Sequence, residues 1–231
     1  MDVVALYPSI PIEDGISAVR EMLQQHGEEI DMLGRTGDEI VRLIRLVLKN
    51  NYFRFDGTVY RQRQGVAMGN HLALPFAIIF MGRLEKRMLE TAERRPEFYD
   101  RYVDDCLLAW THGKENLEKF LKHCNEQHPS IRLTWETSIG TSDVNYMDMR
   151  VRVQDDWQIE IELYQKPSDS DVNLNFYSAI LKATKESVAT QQFRRAISLS
   201  SNKSMEEKSV AKISNLLANN AYPPEVISES F

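Results

Sequence analysis

The sequence predicts an α+β fold, on three observations. Short β-prone runs bounded by Gly, Pro and Asp alternate with amphipathic helical stretches as far as about residue 166. Beyond Lys166-Pro167 the pattern is helical only. No internal repeat points to a solenoid or a propeller. Two regions are expected: 1–166, with strands and helices mixed, and 167–231, with helices alone.

Asp2 to Tyr7 is expected to be a buried strand, stopped by Pro8-Ser9-Ile10-Pro11. Ile12, Ile16, Val19 and Leu23 then share one helical face, and a polar loop runs from Gln24 to Arg35. Thr36 with Glu39 three residues on is a capping-box pattern, opening a helix with Ile40, Val41, Ile44, Val47 and Leu48 on one side. Tyr52-Phe53-Arg54-Phe55 and Thr58-Val59-Tyr60-Arg61 flank Asp56-Gly57, which predicts a two-residue hairpin. Gln64-Gly65-Val66-Ala67-Met68-Gly69 follows, and its glycines leave the backbone free to approach a ligand or simply to turn. A helix over about 72–92 then buries Phe76, Ile79, Phe80 and Leu84.

The chain is organised around Arg101-Tyr102-Val103-Asp104-Asp105-Cys106-Leu107-Leu108-Ala109-Trp110. Adjacent carboxylates in a largely apolar run are costly unless something cationic meets them, and a metal ion does so most economically. Asp155-Asp156 is the control: between two alternating segments it predicts an ordinary solvated turn. A hairpin turn made by Asp104 and Asp105 between buried strands would instead present charge at one fixed place. Glu115 to Gln127 is an expected helix, and 131–136, 146–153 and 157–164 are expected strands. After a polar connector at 168–172 come helices over about 184–199 and 204–219, the second opened by Ser204 and Glu207. Asn220-Ala221-Tyr222-Pro223-Pro224 breaks it, before a last short turn at 225–231.

Composition narrows the function. A net charge of -6 over 231 residues argues against a protein that grips nucleic acid by bulk positive charge, though not against a local basic surface. Lys182 to Lys212 holds seven basic residues against three acidic ones and is locally +4. Cys106 and Cys124 lack a CxxC partner and the five histidines make no HExxH, so neither a zinc site nor a disulfide framework is indicated. Reduced, buried thiols suit an intracellular protein, with nucleus and cytoplasm undistinguished. No apolar run is long enough to span a bilayer, and no membrane association is expected. A core strand starting at the second residue suggests a fragment.

Three pieces stand in order: Asp2 on the first strand, the Gln64-Gly65 loop, and Tyr102-Val103-Asp104-Asp105. With Asp2 to Pro11, Gln64 to Gly69 with Leu72, Pro75 and Ala77, the His128-Pro129-Ser130-Ile131 run, Asn145-Tyr146-Met147-Asp148 and Tyr164-Gln165-Lys166-Pro167, the chain resembles the reverse transcriptases of Penelope-like retroelements. The tail ending in Asn220-Ala221-Tyr222-Pro223 resembles the helix-turn-helix segment that follows their palm.

That resemblance implies a polymerase palm, an antiparallel sheet backed by helices, with fingers largely missing and a small helical thumb-like or helix-turn-helix region. It implies RNA-directed DNA synthesis from an RNA or DNA template with primer and deoxynucleoside triphosphates, using two Mg²⁺ ions, with Mn²⁺ as an alternative. Asp2, Asp104 and Asp105 would be the catalytic acids and, with the Val3 carbonyl, the metal ligands. Tyr7, Gln64, Gly65, Tyr102, Arg63 and Lys166 would line nucleotide and template. Arg54 and Arg61 on the preceding hairpin either meet phosphates or form a solvated face. Fingers upstream and an endonuclease downstream are the expected missing segments, and His71 replaces a proline of the family's loop. Two other readings stand beside this one. They are a catalytically silent nucleic-acid-binding or structural remnant, and a different metal-dependent phosphotransferase.

Overall fold

The computed structural model describes residues 1–139, 141, 143–154, 156–166 and 173–231. Among these the fold is mixed α+β, with eight helices and antiparallel sheets of four, two and three strands. The chain divides into two compact units, Met1–Trp135 and Glu136–Phe231.

The first unit runs β1 (Asp2–Val3), α1 (Leu6–Ser9), α2 (Ile12–His26), α3 (Gly37–Lys49), β2 (Tyr52–Phe55), β3 (Thr58–Arg61), α4 (Ala73–Thr91), β4 (Phe98–Tyr102), β5 (Asp105–Ala109), α5 (Lys114–Glu126) and β6 (Leu133–Thr134). Its main sheet has the order β4-β5-β1-β6, every pairing antiparallel. Apolar positions at helical spacing build the core: Ile16 and Val19 of α2, Phe76, Phe80 and Leu84 of α4, and Phe120 and Leu121 of α5 pack with Val3 and Leu133 of the sheet. The capping box at α3 is present, with Glu39 N–H donating to Thr36 Oγ1 at 3.3 Å and Thr36 N–H to Glu39 Oε2 at 2.8 Å. Hydrogen bonds from Lys49 and then Arg45 tie α3 to Glu13 of α2 and hold that carboxyl below its ordinary range.

Several local expectations are corrected. The first strand is two residues long, because Ala5 takes a left-handed conformation (φ 48) and turns the chain into α1, so Tyr7 lies on a helical turn. Of the expected apolar face of α3 only Val41 and Leu48 are buried, and Val47 is exposed. The β2–β3 hairpin forms around Asp56 and Gly57, both at positive φ, and leaves both its faces exposed, with Phe53 stacked on Tyr60 at 5.5 Å. At the acidic hairpin the two turn residues are Val103 and Asp104, since Tyr102 pairs with Asp105 and the second acid already belongs to β5.

Both cysteines are buried, at 2% and 3% exposure, and free. Burial pushes the Cys124 thiol from 9.0 up to about 12. The folded chain therefore keeps a proton that the unfolded chain releases, and stability is expected to fall as pH rises through that window. Thiol-reactive dye at pH 8 should label neither cysteine until denaturant unfolds the chain; prompt labelling would contradict the burial.

The second unit runs β7 (Asp143–Tyr146), β8 (Met149–Val153), β9 (Ile159–Leu163), α6 (Lys182–Ser198), α7 (Lys203–Asn219) and α8 (Pro224–Ser230). The run expected to be one strand over 146–153 is broken by Met147 at φ 53, which makes β7 and β8 a hairpin. Of the expected Asp155-Asp156 turn, Asp155 lies outside the described residues, while the Asp156 carboxylate accepts from Gln158 N–H at 3.1 Å. Asn202, not Ser204, caps α7, its side chain accepting from Met205 N–H at 3.0 Å. The expected boundary at 166/167 differs from the observed division, with a physical cause. The edge of β9 is closed by the helical tail: Ser201 Oγ accepts from Ile161 N–H at 2.9 Å, Ser209 Oγ from Leu163 N–H at 3.2 Å, and Lys212 Nζ donates to the Leu163 carbonyl at 3.0 Å. Leu163 joins Ala189, Phe193, Ile213, Leu217 and Tyr222 in one core.

Candidate functional site

β1 lies between β5 and β6, and its position carries the site. Met1 and Cys106 exchange two backbone hydrogen bonds, at 2.7 and 2.8 Å, and Val3 N–H donates to the Asp104 carbonyl at 3.0 Å. Asp2 and Asp105, in register between them, are thus a non-hydrogen-bonded cross-strand pair. In such a pair the Cα atoms stand about 4.5 Å apart and both side chains project from the same face. Val3 and Cys106 are buried in the core, so the pleat sends Asp2 and Asp105 to the outer face. Tyr102, 61% exposed, pairs with Asp105 on that face.

The resemblance groups Asp2 with both Asp104 and Asp105. In the observed register the residue opposite Asp2 is Asp105, and Asp104 adjoins it at the hairpin tip. That tip is strained: Val103 has φ 58, costly for a β-branched residue.

Tyr7 and the Gln64-Gly65 loop meet nearby. Val66 N–H donates to the Tyr7 carbonyl at 2.8 Å. Gly65 has φ +68, and a Cβ there would stand 2.4 Å from the Pro8 Cα, so only glycine lets the loop lie this close to α1. Gln64 is exposed, its carbonyl accepting from Gln62 Nε2 at 2.8 Å. Arg63 is also exposed, and Arg54, Arg61 and Arg63 make no ion pair among the described residues. Unit 1 therefore brings together Asp2, Val3, Tyr102, Asp104 and Asp105, while α1, which carries Tyr7, meets the following loop at Gly65 and Val66. Lys166 belongs to the second unit and is exposed.

Beneath the acidic face is a polar cluster that sequence reasoning missed. Glu85 Oε1, on α4, accepts from Tyr99 Oη at 2.6 Å and from Arg101 Nε at 2.5 Å. Arg101 Nη1 also donates to the Val103 carbonyl at 2.9 Å. Burial, then the neighbouring Cys106 and Glu85, pushes the Tyr99 phenol far above its ordinary range. Burial likewise raises the Cys106 thiol. Burial alone would lower Arg101, but the hydrogen bond and charge of Glu85 outweigh it and raise the group. The signal was available: alternation along 98–102 puts Arg101 inward if Tyr102 faces out, and an inward guanidinium requires an acid.

Among the described residues no three His, Cys, Asp or Glu side chains converge as a metal-ligand group. Mg²⁺, however, commonly takes one or two protein carboxylates and completes its octahedron with water and phosphate. A facing Asp2/Asp105 pair with Asp104 adjoining fits that donor chemistry.

In the tail, five of the seven basic residues between 182 and 212 are engaged. Lys182 pairs with Glu186, Lys203 with Glu206, Lys212 with Glu162, and Arg195 with Asp148. Lys185 is buried, donating to the Phe176 and Ser178 carbonyls at 2.5 and 2.8 Å. Arg194 and Lys208 are exposed without an ion pair among the described residues. No helix of the described residues is long and apolar enough to cross a membrane.

Residues 173–231 match the family model of the animal helix-turn-helix domain, a match that takes in α6, α7 and α8. No curated protein matches the chain. The C-terminal segment is thus similar to an animal helix-turn-helix domain, joined in this fold to the β7–β9 sheet.

Proposed function

We propose that this chain is the palm and thumb-like part of an RNA-directed DNA polymerase, acting on a primed RNA or DNA template with deoxynucleoside triphosphates. The observation that carries the reading is the facing of Asp2 and Asp105 on the open side of a sheet, beside a strained acidic turn. Asp2 and Asp105, with Asp104 adjoining, would hold Mg²⁺ or Mn²⁺. When bound, two such ions stabilise the attacking primer oxygen and the departing pyrophosphate in an in-line displacement.

The chain's own residues do the rest. Short paired strands keep the carboxylates from moving with the substrate. Tyr7 crowds the ribose and so favours a deoxynucleotide. The Gly65 loop admits the nucleotide against bare backbone, and the exposed Tyr102 ring packs near the primer end. The helix-turn-helix segment binds nucleic acid, with Arg194 and Lys208 available for phosphate.

Primer extension with Mg²⁺ tests the reading. Incorporation that needs the template and disappears in Asp104→Asn is the expected result. Template binding without incorporation would instead favour a catalytically silent nucleic-acid-binding remnant. Nucleotide turnover without template would favour a different phosphotransferase.

A further inference from the structure

We propose that Arg101, held by Glu85, is a positioning residue that fixes the Val103–Asp104 turn and thereby the aim of the carboxylates on the outer face. Its consequence for catalysis rests on the nucleotidyl-transfer reading above; its geometry does not.

The turn needs an outside hold. Two-residue hairpin turns that require positive φ favour Gly, Asn or Asp, and here valine occupies that position at φ 58. A strained residue of this kind persists only where its surroundings over-determine it. Two bonds do so from opposite sides. Val3 N–H of β1 reaches the Asp104 carbonyl, and the Arg101 guanidinium reaches the Val103 carbonyl. Together they fix the peptide planes on both sides of the Asp104 Cα, and hence where Asp104 points and where β5 begins with Asp105.

The guanidinium can act as a clamp because it is itself held. The Arg101 and Glu85 side chains are only 9% and 12% exposed, and the Tyr99 hydroxyl donates to the same Glu85 oxygen. Glu85 stands on α4, the helix that follows the Gly65 loop, so the acidic hairpin is tied to the element leading away from the other half of the site. A pair that merely joined helix to sheet would need the Arg101–Glu85 bond alone. The second bond, onto the turn, comes from a different nitrogen of the same rigid plane, Nη1 beside Nε, a spacing that a single lysine nitrogen does not reproduce.

Arg101→Lys separates the two roles, since it keeps a cation for Glu85 but cannot reach both acceptors. The expected result is a near-wild-type melting temperature with hydrogen exchange at the Val3 amide at least about tenfold faster. Incorporation should fall on the order of tenfold to a hundredfold in kcat at unchanged KM for primer-template. Unchanged Val3 exchange in a folded Arg101→Lys chain would overturn the proposal, as would a loss explained wholly by a lower melting temperature. If that variant does not fold, the wild type decides by NMR. An Arg101 Nη1–H protected from exchange together with the Val3 amide supports the clamp, and guanidinium Nη protons exchanging at the rate of free arginine overturn it. The exchange readouts need no substrate, so a wild-type chain that fails to extend primers sinks the polymerase reading and not the clamp.

Discussion

Asp2→Asn and Asp105→Asn are each expected to lower template-directed incorporation by about 10²–10³-fold or more, the scale seen when one charge-stabilising group is removed from a polar active site. The substitutions are nearly isosteric, and both side chains project from the outer face of the sheet rather than into the core. For the exposed Asp2, global stability should therefore stay within about 1 kcal/mol of wild type. For Asp2→Asn the sign should be favourable in the absence of divalent cations. Like charges directly opposite across strands are destabilising, by up to about 1 kcal/mol, and the change removes one of them. Urea titration in EDTA checks that sign; incorporation assays check the loss. A variant that unfolds, or one that retains full incorporation, would contradict the assignment of these residues.

Gly65→Val is expected to have the largest effect on the fold itself. Its backbone sits at φ +68, where a side chain costs about 1–2 kcal/mol before any contact is considered. The added Cβ would also stand 2.4 to 2.6 Å from three backbone atoms of Pro8, which cannot swing aside as a side-chain tip could. Either the loop or α1 must move, breaking the Val66 N–H to Tyr7 carbonyl bond. A total loss of about 3 kcal/mol or more is expected, measurable as a lower urea midpoint at unchanged slope. Gly69→Ala is the internal control, because nothing lies within 4 Å of a Cβ at that position and its φ is not in the left-handed region. Equal effects at both glycines would contradict the close approach to Pro8.

What the sequence shows by itself depends on the range of the interaction. The Thr36–Glu39 capping box, the Asp56-Gly57 turn and the buried faces of α4 and α5 were legible because the deciding partners lie within a few residues. The short β1 was not, because Ala5 leaves the strand in a conformation that alanine does not itself favour. The acidic turn was displaced by one residue for a related reason. Nothing in Tyr-Val-Asp-Asp favours Val103 at positive φ, and the Arg101 bond to its carbonyl comes from a side chain whose inward direction had gone unused. That one-residue difference decides which acid faces Asp2. The union of β9 with the tail was hidden as well, since Ser201 and Ser209 meet that strand from 40 and 46 residues away. Local periodicity carries no trace of such bonds. The three clusters of the site were nonetheless visible in order, and their acids and glycine are the residues that the β5–β1 pairing and the Pro8 contact bring into play.

The central claim, that Asp2 and Asp105 form one cation-binding face, is tested most directly by titrating Mn²⁺ into the ¹⁵N-labelled chain and following paramagnetic broadening. The account predicts that amides of residues 2–4 and 102–106 broaden first, and that Asp2→Asn abolishes the effect. Broadening centred elsewhere, or broadening at these amides that survives Asp2→Asn, would contradict it.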